Sequence, residues 1–135
     1  MTPEVDTLLN IGAGKLMMEI GPALPPGYSQ GSASTIAMSM LLSAQEYAKG
    51  ADTRIWENAR MAELLAANGV ADDTKAASNT IADLSAANAV LGRKLIALHE
   101  RLENDTSEAA RQAVREILAF LKESGDRRRL YLPVM

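Results

Sequence analysis

The chain of 135 residues carries 23 alanines and 17 leucines against five aromatic residues, one histidine, no cysteine and a formal net charge of −3. At this length one domain is expected, and a make-up rich in small residues and poor in aromatics is that of an all-α protein. The same numbers exclude a disulfide framework, a thiolate nucleophile and a multi-histidine metal centre, and so mild a charge points to no polyanionic or strongly basic partner.

Apolar spacing predicts an up-and-down helical bundle of about five helices, one of them long and heptad-patterned. It forms a single domain over 1–135 with a loose tail over about 126–135. Thr2 is placed to cap the first helix, with Pro3, Glu4 and Asp6 in its opening turn. Val5, Leu8, Leu9, Gly12, Leu16 and Ile20 recur at spacings of three and four until Gly21 and Pro22 stop the run. Gly12 and Gly14 each cost a helix roughly 1 kcal/mol relative to alanine, which suggests close approach by a neighbour. A signal peptide would need basic residues where Glu4 and Asp6 stand, and Asn10 and Lys15 interrupt the apolar run. A cytoplasmic location is therefore expected.

A turn over Leu24, Pro25, Pro26, Gly27 and Tyr28 precedes a second helix. Its apolar face is Ala33, Ile36, Ala37, Met40, Leu41, Ala44, Tyr47 and Ala48, and Gly50 marks its end. Asp52 then caps a third helix, which buries Ile55, Ala59, Ala62, Leu65 and Ala66 and stops at Gly69. The fourth starts between Asp72 and Lys75 and runs to about Glu103. Ala77, Ile81, Leu84, Asn88, Leu91, Leu95, Leu98 and Leu102 are spaced alternately by four and three, a sustained heptad. Asp105 to Glu108 opens a fifth helix with Ala110, Val114, Ile117 and Leu121 inward and Gly125 after its end. No stretch reaches the 18 apolar residues of a membrane span.

A helix over 75–103 is roughly 43 Å long, against roughly 25 to 29 Å for the others. It either kinks near Gly92 or is covered by a second copy. Small flanks, Ser78, Thr80, Ser85, Ala87 and Gly92, suit a bundle centre that also dimerises. The candidate interface is therefore Ile81, Asn88, Leu91, Leu95 and Leu98. An unsatisfied amide at Asn88 would cost about 1 to 3 kcal/mol. A neighbouring helix, a trapped water or the symmetry mate across a dimer axis could supply the partner.

Little in the chain can carry chemistry. His99 and Glu100 lack the second histidine of a helical zinc site. Gly12 to Lys15 lacks the leading glycine and the Ser or Thr of a phosphate loop. No metal and no cofactor are expected. Met17, Met18, Met38, Met40 and Met61 read as core filler, or as an adaptable pocket for an acyl chain or other apolar ligand. That candidate pocket is Tyr28, Met38, Met40, Trp56 and Met61. Arg127, Arg128 and Arg129 form the one basic run. With a negative chain around them they suit a helix C-terminus, and nucleic-acid binding is not expected.

Glu19, Ile20, Gly21, Pro22, Ala23 and Leu24, then Tyr28, then an alanine-rich helix closing on Gln45, Glu46 and Tyr47 follow an order of features found elsewhere. Together with Arg129, Leu130, Tyr131 and Leu132, this resembles an uncharacterised bacterial family of small all-helical proteins associated with acyl-CoA dehydrogenases and aminoglycoside-phosphotransferase-like proteins. The resemblance covers under half of the chain. It implies no catalytic residue, only a neighbourhood in acyl-CoA metabolism. The expectation is a homodimeric, non-catalytic accessory or protein-interaction bundle. The alternative is a small binder of acyl or other hydrophobic ligands, or a bundle enzyme with its site near the subunit interface.

Overall fold

The computed structural model describes residues 2–133. It is all-helical, with no strand among the described residues. Helix α1 (Val5–Lys15) runs on through a π-helical stretch (Leu16–Ile20) into a last turn (Gly21–Ala23). Helix α2 spans Tyr28–Ala67, α3 Ile81–Glu103 and α4 Glu108–Arg128. The chain divides into two compact units, one formed by residues up to Gly50 together with those from Leu130, the other by Ala51–Arg129.

Four helices replace the expected five because the second and third are one. Gly50 is buried and helical, and neither it nor Gly125 takes the left-handed conformation that would end a helix. Gly69 does, with φ +72°. The Gly69 N–H donates to the Ala66 carbonyl (3.1 Å) and the Val70 N–H to the Leu65 carbonyl (2.9 Å). This pair of bonds is a Schellman stop, and Val70 packs back on the core as such stops favour. Helix α4 likewise continues past Gly125 to Arg128, so the expected tail shortens from its front. Arg127 pairs with Glu123 one turn back at 2.8 Å, and Arg128 pairs with Glu57.

The heptad helix is shorter than its periodicity suggests. Thr80 caps it, its Oγ1 accepting from the Asp83 N–H at 3.3 Å, while the Ser78 hydroxyl donates to Asp83 Oδ2 at 2.6 Å. The chain before Thr80 is non-helical, which leaves Ala77 outside the helix. With α2 the longest helix, the overhang that called for a second copy disappears, and α3 is unbroken at Gly92. In α1 the first helical residue is Val5, after Glu4 rather than Thr2.

The second unit holds a conventional three-helix core. Met61, Leu64 and Leu65 of α2 meet Leu91, Leu95, Leu98 and Leu102 of α3, with Ala110, Ala113, Ile117 and Phe120 of α4 closing the third side. On α4, Ala110 and Ile117 are buried as expected and Val114 packs against the core, but Ala113 and Phe120 join them inside, whereas Leu121 is half exposed. Trp56 stacks on Phe120 with ring centroids 5.6 Å apart, and the Arg127 guanidinium lies 4.1 Å over the Trp56 ring. Such a cation–π contact at a helix end holds the last turn of α4 to α2.

The first unit is built the other way round. Its buried hydrophobic residues are Ala13, Ala33, Ala37 and Ala44, joined by Gly21 and Gly50. Gly12 faces the Met40 methyl at a distance no Cβ could share without moving it, whereas Gly14 has open space around it. Close approach therefore explains the first of these helical glycines and not the second. Gly21 has a backbone reason, because a Cβ there would lie 2.8 Å from the Leu16 carbonyl oxygen that closes the π-helical turn.

Candidate functional site

The most concentrated polar chemistry in the second unit surrounds Glu57, whose side chain is 1 % exposed. An ionised carboxylate at that depth is costly unless every lone pair is met. Here Arg128 donates through Nε to Oε1 and through a terminal nitrogen to Oε2, each at 2.6 Å, a two-point grip from the last turn of α4. The Ser124 hydroxyl, one helical turn earlier, donates to Oε1 at 2.6 Å. Asn88 of α3 donates to Oε2 at 2.9 Å and to Asn58 Oδ1 at 3.0 Å, and Asn58 in turn donates to the Leu84 carbonyl at 3.0 Å. Burial pushes the Glu57 carboxyl up, but the bonds from Arg128, Ser124 and Asn88 and the Arg128 charge outweigh it and hold it below its ordinary value.

A carboxylate with four donors, held ionised, is a poor proton acceptor, so this cluster locks three helices and lacks the makings of a general base. It also accounts for Asn88. That amide, predicted at a core heptad position, gives both of its hydrogens to α2 within the chain. The cluster itself forms part of the lining of a groove of about 210 Å³, together with Met61, Gly92, Ile96, Phe120 and Leu121.

The sequence-predicted interface fares unevenly. Leu91, Leu95 and Leu98 are buried in the chain's own core and have no surface left to offer a partner, because α2 and α4 fill the heptad seam. Ile81, at the capped start of α3, keeps over a third of its surface exposed. The residues of the predicted pocket are divided between the two units. Tyr28, Met38 and Met40 belong to the first unit, and Trp56 and Met61 to the second. Tyr28 is 92 % exposed, and Met61 is core. Among the described residues no group of three His, Cys, Asp or Glu side chains gathers, and no helix is long and apolar enough to cross a membrane. His99 sits one turn from Glu103, with its Nε2 buried and 3.4 Å from Oε1 without hydrogen-bond alignment.

Two features of the first unit were not predicted. Along α1 and the π-helical stretch that follows it, the large apolar residues Val5, Leu8, Ile11 and Met18 are exposed, Met18 by 79 %. The second feature is a clasp: Gln45 of α2 donates through Nε2 to the Tyr131 carbonyl at 2.7 Å, and the Tyr131 N–H donates to Gln45 Oε1 at 2.8 Å. No periodicity could reveal a bond between residues 86 positions apart. Comparison of the chain with protein-family profiles, with curated proteins and with solved structures finds no match.

Proposed function

We propose that the chain is a non-catalytic accessory protein that acts by binding another helical surface, first of all a second copy of itself, through the outer face of the α1–α2 hairpin. The observation that carries this reading is the inverted distribution of size in the first unit: alanines and glycines are inside, whereas Leu8, Ile11, Met18, Tyr28 and Ile36 are outside. A lone hairpin gains little from an alanine core, and large apolar side chains left exposed in such number are a reason for it to associate. A cytoplasmic setting belongs to the same reading and rests on the cysteine-free composition. The Glu57 cluster gives the second unit the role of a scaffold.

Native mass spectrometry over a concentration series tests the proposal. The wild-type chain is expected as a dimer, and Leu8→Glu combined with Ile11→Glu as a monomer of unchanged helical circular dichroism, since both side chains are half exposed. A wild-type monomer at every concentration, or a doubly substituted chain that stays dimeric, overturns it. For the ligand-binding alternative, the groove beside Glu57, at about 210 Å³, falls under the roughly 300 Å³ from which small-molecule pockets start, while the hollow beside Tyr28 and Ile36, at about 520 Å³, does not.

A further inference from the structure

The clasp between Gln45 and Tyr131 has the chemistry of strand addition. One side-chain amide bonds both the N–H and the C=O of a single residue. This requires the two groups to point the same way, as they do along one edge of an extended chain. Recognition is therefore of backbone, and the Tyr131 ring stays 65 % exposed. Around the clasp, Asp6 and Asn10 of α1 and Leu41, Ala44 and Ala48 of α2 form one wall of a groove of about 370 Å³, and Tyr131, Leu132 and Pro133 form another part of its lining. The segment enters it at Arg129, where ψ of 127° turns helix into extended chain. Tyr131 and Leu132 stay more than half exposed, so the clasp holds this segment by backbone bonding rather than side-chain burial, and such bonds contribute about 1 kcal/mol each.

We propose that this groove is a docking slot for an extended segment, and that its occupant in trans is residues 130–133 of a second copy. Gln45 already holds that segment by its backbone, so exchange between two chains keeps both clasp bonds and asks for rotation about residues 129 and 130, the route by which domain swapping links identical chains. This goes beyond association through the outer hairpin face, and either can fail without the other.

The chain lacks cysteine, which makes the test direct. Full-length Ala48→Cys and Pro133→Cys chains are mixed in equal amounts, treated with a short bismaleimide and digested, and the 48–133 linkage is read by mass spectrometry. The doubly substituted chain, alone and dilute, reports docking within one chain. Exchange predicts the linkage in the mixture, reduced several-fold when the Ala48→Cys chain also carries Gln45→Ala. A linkage in the double variant but none in the mixture overturns the proposal, as does a mixed linkage indifferent to Gln45→Ala, or no linkage in either. If the mixture gives no linkage while the Leu8→Glu, Ile11→Glu chain still loses its dimer, exchange fails and the outer-face reading stands. The reverse pair of results leaves exchange standing alone.

Discussion

Glu57 shows how much one buried charge can depend on its partners. Its four donors come from α3 and α4, so a change at any of them leaves charge or dipole stranded inside the second unit. Replacing Glu57 by Gln keeps the shape and removes the ion pair. We expect a loss of about 2 kcal/mol at pH 7 by urea unfolding, taken below the range for breaking fully buried pairs because Arg128 is half exposed. The pH dependence follows from the lowered carboxyl. The unfolded chain takes up a proton near the ordinary value of 4.5, and the folded chain only at lower pH. The stabilisation is thus complete above about pH 4.5 and disappears as pH falls through the folded-state value. Wild-type and Glu57→Gln stabilities should converge in acid, and a constant gap down to pH 3 would contradict the ion-pair account. In the sequence Glu57 is one acid among many on a polar face. Its importance depends on Arg128 lying 71 positions away, which helix periodicity cannot encode.

At the scale of elements, stops and starts that rest on local chemistry were readable, and those that depend on a choice between local chemistries were not. Gly69 was legible because a left-handed glycine acts within a few residues, whereas the start of α4 was legible only to within two: the expected box from Asp105 to Glu108 gives way to Ser107, whose Oγ accepts from the Ala110 N–H at 3.2 Å. Gly50 offered the same signal and was overridden, since continuing α2 buries it. Thr80 with Asp83 was present as a capping pattern, but the heptad running through Ala77 masked it. Thr80→Ala should cost about 1 kcal/mol, the worth of a helix cap, and Gly69→Ala should cost about 1 to 2 kcal/mol, because φ +72° is a left-handed geometry that a Cβ disfavours. Thermal unfolding of the two variants measures both. If Thr80→Ala were neutral, α3 would have to begin earlier, as the heptad alone suggests.

For the whole molecule, the helical class was written in composition and periodicity, whereas the division into two units was not. Both halves of α2 are amphipathic at the same period, and what separates them is the size of the side chains turned inward: Ala33, Ala37 and Ala44 before the boundary, Met61, Leu64 and Leu65 after it. Apolar stabilisation scales with buried area, so the two units should differ in local stability. Amide hydrogen exchange is expected to be slow in α3 at any protein concentration. In α1 it should be fast in dilute protein and slower in concentrated protein, as association covers the Leu8 and Ile11 face. Equal, concentration-independent protection in both helices would mean that the hairpin is self-sufficient.

The π-helical turn at Leu16–Ile20 determines which way that face looks. A π turn holds one residue more than an α-helix of the same rise, and each residue is worth about 100° of rotation about the axis. Winding the same five residues as regular α-helix would swing everything from Val5 to Lys15 round by about that angle relative to Gly21. Ala13 would leave the interior, and another part of α1 would face inward. Deleting one of the five would instead restore α-winding with that segment facing as it does now. The chain therefore carries a phase setting five residues long, just before the turn into α2. A change of winding at that point would re-aim the exposed apolar residues of α1 without altering any side chain among them.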